Sequence, residues 1–241
     1  MSVKITQAMV LAAGRGTRMR DLTNETPKPL IKVAGKCLID HVLDKIEAFG
    51  ITDVIVNLCY LGDQIENHCL ARKGNLRFTF SHEQTALETG GGVKKALSLF
   101  KNDAFFVVNS DPLWTEDGVP ALTRMADAFN EQTDDVLLLL QQKERAFCHD
   151  GKGDYLITPD GRPKRKERPE NEAPYIYAGA QILTKRLFDK APDGKFSLNV
   201  LYDAAEKNGR LNGIVHDGDW FHVGTPEARL FTEKKLSSSL F

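Results

Sequence analysis

Apolar residues along this chain fall into short unbroken runs and into longer stretches with a period near 3.6, the pattern of buried strands separated by amphipathic helices. Residues 8–13, Ala-Met-Val-Leu-Ala-Ala, form such a run. It stops at Gly14-Arg-Gly16, so a buried strand should empty there into a tight turn. Leu38, Ile39, Val42, Leu43, Ile46 and Phe49 then recur at helical spacing, with Asp44, Lys45 and Glu47 turned to water and Gly50 as the stop. A strand is predicted over 53–58, around the β-branched Val54-Ile-Val56, followed by a short helix over 62–71 and an alternating strand over 76–80. The order βαβαβ predicts an α/β fold with a mostly parallel sheet covered by helices. Ligands of such sheets bind outside the carboxyl ends of the strands, where Gly14 and Asn57 both fall.

The pattern continues with a helix carrying Val93, Ala96, Leu97 and Phe100, which opens at Glu88-Thr-Gly-Gly-Gly92. Glycine is a poor helix former, but at a helix start three in a row leave the backbone open to a flat ligand, or simply make a flexible loop. Residues 103–111 read as a buried strand that ends in Asn109-Ser-Asp111 and delivers a carboxylate to the same rim as the glycine turn. Further on, helices are predicted over 119–129, 196–204 and 227–236, and strands over 136–141, 175–183 and 214–216. Gly179 inside its strand marks a place of close approach. The charge run 162–169 reads as a solvated loop and 237–241 as a frayed end.

The glycine turn is the first candidate for chemistry. Without Cβ atoms at Gly14 and Gly16, successive N–H groups can close around anionic oxygens. Arg15 and Arg18 add guanidinium forks, and Lys28, held between Pro27 and Pro29, adds a point charge on a stiffened segment. The turn lacks the Gly-Lys-Ser/Thr of a P-loop, and Met19 stands where a dinucleotide fingerprint needs its third glycine.

Composition narrows the partners. With 241 residues, 41% hydrophobic and 27% charged, one α/β domain over 1–241 is expected. A formal charge of −1 argues against nucleic-acid binding. Cys37, Cys59, Cys69 and Cys148 show no metal-ligand spacing and read as free thiols, and no apolar run is long enough for a signal peptide or a membrane span. A cytoplasmic protein that avoids membranes is expected.

The string Leu11-Ala-Ala-Gly-Arg-Gly-Thr-Arg-Met19, followed by Thr26-Pro-Lys-Pro29, resembles the sugar-1-phosphate nucleotidylyltransferases. The resemblance extends to Trp220-Phe-His-Val-Gly-Thr225 and is strongest to uridylyltransferases that handle recycled peptidoglycan sugars. It implies a Rossmann-like mixed sheet, with residues 1–111 as a nucleotide-binding half and 112–236 as a sugar-phosphate-binding half. It also implies UTP and a sugar 1-phosphate as substrates, with another nucleoside triphosphate as the alternative. A non-catalytic sensor of nucleotide sugars is the reading from another class, and monomer and homodimer both stay open.

On this resemblance Leu11, Ala12, Ala13, Gly14, Arg15, Gly16 and Thr17 would surround the triphosphate, with Arg18 and Lys28 catalytic. Asn57, Glu83, Glu88, Thr89 and Gly90 would hold base and ribose. Asp111 would carry a divalent ion, Mg²⁺ or alternatively Mn²⁺ or another, while Asn109, Arg168 and Gly179 would face the sugar phosphate. Three positions depart from the family pattern: Asp21 replaces a proline, Ser110 a glycine, and His222 a second metal-binding Asp. A neutral imidazole suits softer ions better than Mg²⁺, and a histidine satisfied by core neighbours is the other reading of His222.

Overall fold

A computed structural model describes residues 5–238. Nine strands form the main sheet: β1 (Gln7–Leu11), β2 (Asp53–Leu58), β3 (Arg77–His82), β4 (Ala104–Asn109), β5 (Val136–Gln142), β6 (Tyr155–Ile157), β7 (Pro163–Arg165), β8 (Tyr175–Thr184) and β9 (Leu211–Val215). β1 runs between β2 and β4, parallel to both, and β3 is parallel outside β2. β8 adds antiparallel to β4, β5 antiparallel to β8, and β9 parallel to β5. The hairpin of β6 and β7 joins the start of β8 through Tyr155 and Tyr175. The sheet is thus mixed, with its parallel core in the βαβαβ half.

Among the described residues six α-helices accompany it: α1 (Leu38–Ala48), α2 (Gly62–Ala71), α3 (Glu88–Ala96), α4 (Ala121–Ala128), α5 (Asn199–Lys207) and α6 (Pro226–Ser238). Alternation along each strand gives the sheet two apolar faces. Ala8, Val10, Val54, Val56, Phe106 and Val108 pack against Ile39, Val42, Leu43 and Ile46 of α1, with Ile65 of α2 and Leu122 of α4. Met9, Ile55, Phe105 and Val107 pack on the other face against Val93 and Ala96 of α3 and Leu201 and Tyr202 of α5. Each fully buried aliphatic side chain contributes about 1.5–3 kcal/mol, so the α1 stripe alone anchors its helix firmly.

Register decides where function can sit. Leu11 of β1 pairs with Asn57 of β2 on one side and with Asn109 of β4 on the other, so three strands end level. The loops after them therefore start from one rim.

The structure departs from the sequence pattern in its shortest elements. Pro112–Trp114, Ala146–Phe147 and Trp220–His222 form a small three-stranded sheet, and Lys32–Val33 pairs with Lys36–Cys37. Strands of two or three residues show no readable period. Within the charge run expected as a solvated loop, Pro163–Arg165 is strand β7, its pairing with β6 satisfying the backbone. The expected fraying over 237–241 is not seen at 237 and 238, where α6 continues; residues 239–241 lie outside those described.

Gly179 sits at an irregularity in the pairing of β8 with β5, between Tyr177 and Gln181. Its φ is +87°, and a Cβ there would lie 2.8 Å from Pro112 Cγ and 3.4 Å from Asn109 Nδ2. Left-handed strain of about 1–2 kcal/mol adds to that collision. Gly179→Ala should therefore lower the urea midpoint followed by far-UV circular dichroism; an unchanged midpoint would show that the strand tolerates a side chain.

Candidate active site

A cleft of about 450 Å³ opens at the rim where β1, β2 and β4 end. Its floor is Leu11, Ala12, Ala13 and Gly14, and Gly16, Thr17 and Arg18 continue it. Gly16 is left-handed, with φ +67°, and a Cβ there would lie 2.7 Å from Lys28 Cβ. Glycine at 16 therefore both turns the chain and lets the lysine stem pass. Thr23 Oγ1 donates to the Gly16 carbonyl at 3.2 Å, as does the Met19 N–H at 2.9 Å, which ties the loop to the following 3-10 turns.

Lys28 lies in the short 3-10 turn Lys28–Leu30 and is buried. Its Nζ donates to Asp111 Oδ2 at 2.5 Å, across 83 residues of sequence. The Asp111 side chain is one-third exposed, and burial alone would favour its neutral form. The adjacent Lys28 ammonium, through charge and hydrogen bond, outweighs that effect and holds the carboxyl below the usual range. The glycine turn, the proline-braced lysine and the strand-end carboxylate thus meet in one cleft.

A second network lines the opposite part. Asn57 Oδ1 accepts from the Ala12 N–H at 2.9 Å, and Asn57 Nδ2 donates to Glu83 Oε1 at 2.7 Å. Glu83 Oε2 accepts the Leu87 N–H at 2.9 Å. The buried carboxylate therefore braces the loop into α3, and its remaining lone pairs are what a base could meet. Gly92 makes room for this: a Cβ there would lie 2.8 Å from Glu83 Oε1 and 2.9 Å from Asn57 Nδ2. Glu88, with φ +60°, and Thr89 line the same cleft. Lys195 faces Glu88 at 3.6 Å, and Thr89 Oγ1 accepts from the Leu198 N–H.

Several expected positions lie elsewhere. Gly90 does not line the cleft: its N–H donates to the Phe196 carbonyl at 2.9 Å, and a Cβ there would enter the Phe196 ring. Gly90 and Gly91 serve close packing of α3 against residues 194–196, because only a bare backbone fits between them. Arg15 turns away from the cleft lining to lie over the Tyr60 ring, 5.2 Å from its centroid. Arg168 is exposed, with Glu170 4.0 Å away, and Glu167 rather than Arg168 lines a separate cavity beside Tyr155 and Tyr177. Gly179 backs Asn109 and Pro112 from behind the rim without lining it. The Asp21 carboxylate accepts from Asn24 Nδ2 at 3.3 Å, and Asp21 does not line the cleft. Buried Ser110 has no positive φ, so the loss of glycine there is without consequence.

Pro29, Ala86, Ser110, Lys195 and Gly224 line the cleft without having been read as site residues. Lys195 could not be found from a motif, because it arrives from a loop more than eighty residues beyond the strand ends. Gly224 could have been suspected from Val223-Gly-Thr225 beside His222.

His222 lies opposite Pro112 in the small sheet, next to Asp111. Its Nε2 is buried without a hydrogen-bond partner, and it lines a neighbouring cavity that shares Arg18 with the cleft. Burial, reinforced by Lys28 and Arg18 and opposed by Asp111, pushes its pKa down to about 4. The imidazole is neutral at neutral pH, and a buried neutral nitrogen beside a carboxylate is a donor set that a divalent cation fits.

A glycine turn at the end of a parallel sheet, with a lysine and a carboxylate held over it, is the architecture of a nucleotide-handling α/β protein. Comparison with known proteins refines this: the chain belongs to the nucleotidyl transferase family, whose model matches residues 7–238. It is 40% identical over 236 residues to the N-acetylmuramate alpha-1-phosphate uridylyltransferase of Caulobacter vibrioides, covering 96% of this chain and 97% of that one. Identity to the Neisseria meningitidis enzyme of the same name is 34%, covering 91% and 93%. Among solved structures, HddC from Yersinia pseudotuberculosis, determined with GMP-PN, matches with a TM-score of 0.77 at 23% identity over 96% of this chain and all of that one. A UDP-glucose pyrophosphorylase complexed with UDP-glucose gives 0.81 at 15% identity over 98% and 100%. These likenesses establish the nucleotide-diphospho-sugar transferase fold.

The Asn57–Glu83 network yields a test whose sign is not the ordinary one. Alanine in place of a helical glycine normally stabilises by about 0.5–1 kcal/mol. Gly92→Ala should instead force Glu83 and Asn57 apart and raise the Kd for a nucleoside triphosphate about ten-fold, since one disturbed buried hydrogen bond costs about 1–3 kcal/mol. Calorimetric titration checks this, and unaltered affinity would exclude the network from nucleotide binding.

Proposed function

We propose that this chain transfers the uridylyl group of UTP to N-acetylmuramate α-1-phosphate, releasing pyrophosphate and forming the UDP-sugar, as a step in the recycling of peptidoglycan sugars. The observation that carries the reading is the Lys28–Asp111 pair at 2.5 Å over the glycine turn. The substrate choice is supported by the two N-acetylmuramate alpha-1-phosphate uridylyltransferases to which the chain is similar.

The chemistry follows from charge. A sugar-phosphate oxygen attacks the α-phosphorus of UTP in line while pyrophosphate leaves, so two polyanions must be held together. Backbone N–H groups of residues 14–17 and the Arg18 guanidinium receive the outer phosphates. Lys28 donates to the α-phosphate, where negative charge builds during transfer. Asn57 and Glu83 position the loops around base and ribose, and Asn109 orients the incoming phosphate. Asp111 and His222 would hold a divalent ion, which when bound supplies further neutralisation of phosphate oxygens. With one carboxylate and one imidazole, that pair favours Mn²⁺ over Mg²⁺ relative to a two-carboxylate site. The free cysteines accord with a reducing compartment, and we place the reaction in the cytoplasm.

Pyrophosphate release with UTP should be fastest with N-acetylmuramate α-1-phosphate among a panel of sugar 1-phosphates, and slower when GTP replaces UTP. No turnover with any pair under any divalent ion would leave a sensor in place of an enzyme. Lys28→Ala and Asp111→Ala should each lower kcat at least a hundred-fold, the scale of removing one preorganised charge, while circular dichroism stays unchanged. Near-normal turnover in either would remove that residue from the mechanism. Chelation should abolish activity, and His222→Asp should raise the Mg²⁺-to-Mn²⁺ activity ratio; an unaltered ratio would exclude His222 as a ligand.

A further inference from the structure

The cysteines have no metal-ligand spacing in sequence, yet the packing of α1 on α2 assembles a donor set. Cys37 caps the start of α1, Asp40 follows one turn later, and His68 lies on α2. One donor atom from each, the Cys37 Sγ, an Asp40 carboxylate oxygen and a His68 ring nitrogen, lie within 4.8 Å of one another. Among the described residues this is the one group of three or more such side chains brought so close. None of the three lines the nucleotide cleft.

We propose that Cys37, Asp40 and His68 form a second, structural site for a thiophilic divalent cation of the Zn²⁺ type, clamping α1 to α2. Donors around a tetrahedral ion with bonds of about 2.0–2.3 Å lie about 3.3–3.6 Å apart, so small side-chain movements close the set. His68 Nε2 and Asp40 Oδ2 already stand 2.9 Å apart as hydrogen-bond partners, so an ion that takes the place of the shared proton needs them to part by only a few tenths of an ångström. A thiol, an imidazole and a carboxylate together match zinc, whereas Mg²⁺ seeks oxygen ligands alone. The partly exposed His68 side chain leaves a path for entry and for water as the fourth ligand.

Charge balance agrees. Asp40, Asp44 and Glu47 bring three negative charges, against Arg72 and Lys36. A divalent ion that binds as the Cys37 thiol releases its proton to solvent adds one net positive charge, which neutralises the cluster. Arg72 need not leave: it donates to Asp44 Oδ1 at 2.6 Å and Glu47 Oε2 at 3.0 Å, and its bond to Asp40 uses the other oxygen, Oδ1, at 3.3 Å.

The proposal does not rest on the transferase reading, and its test is spectroscopic. The full-length protein, reduced and stripped of metal, is titrated with Co²⁺, and the same series is run in an Asp111→Ala background to remove the cleft as a competing site. A near-ultraviolet thiolate-to-cobalt band with intense visible bands is expected at one equivalent in both. Cys37→Ser should abolish the near-ultraviolet band, and His68→Gln should weaken Co²⁺ binding at least ten-fold. Zn²⁺ should raise the Tm of the parent protein and leave that of Cys37→Ser unmoved. Absence of the band, its persistence in Cys37→Ser, or an equal Zn²⁺ effect in both proteins would each overturn the site, whatever the transferase assays give.

Discussion

One ion pair organises this molecule: the Lys28 ammonium against the Asp111 carboxylate, both largely withdrawn from water. A lysine so placed and left unpaired would cost several kcal/mol, so the partner is a condition of its position rather than an ornament. The pair is also a poised state. On the proposed function, a phosphate would compete with Asp111 for the ammonium and a cation would compete with Lys28 for the carboxylate. Everything around the pair keeps its two halves at one rim. The level ends of β1, β2 and β4, the prolines flanking Lys28 and the strand leading to Asp111 all act to that end.

The glycines that shape the site act as absences placed against particular side chains. Gly16 clears the stem of Lys28, Gly92 clears Asn57 and Glu83, and Gly179 clears Asn109 and Pro112. Gly224 does the same for His222, whose Nε2 would lie 2.4 Å from a Cβ there. In a close-packed interior a methyl group has nowhere to go, and each clearance translates into the position of a polar group. The turn at residues 14–16 is thus only part of what glycine does here.

Polar groups beneath the cleft form a supporting layer with little spare capacity. Asn57 joins the Ala12 N–H to Glu83, and Glu83 carries the Leu87 N–H, so strand β1, strand β2 and the entry to α3 share one hydrogen-bonded chain. Such a buried network is stable only when complete. It gives the cleft a fixed shape, to which the loop bearing Lys195 from the second half is added.

The periodic half of the chain was readable because period is a local property: residues 38–49, 53–58 and 62–71 announced α1, β2 and α2 through spacing alone. That the glycine turn, Lys28 and Asp111 share one rim was readable too, since glycine, proline bracing and a strand-end carboxylate leave marks in adjacent residues. Tertiary structure alone decided that Gly90 packs on Phe196, that Arg15 turns to Tyr60, that Arg168 stays outside the cleft and that Lys195 enters it. It alone paired Pro112–Trp114 with Trp220–His222 and drew Cys37, Asp40 and His68 together. These are contacts between segments far apart along the chain, and no periodicity or neighbouring residue type encodes which distant partner will occupy a given space.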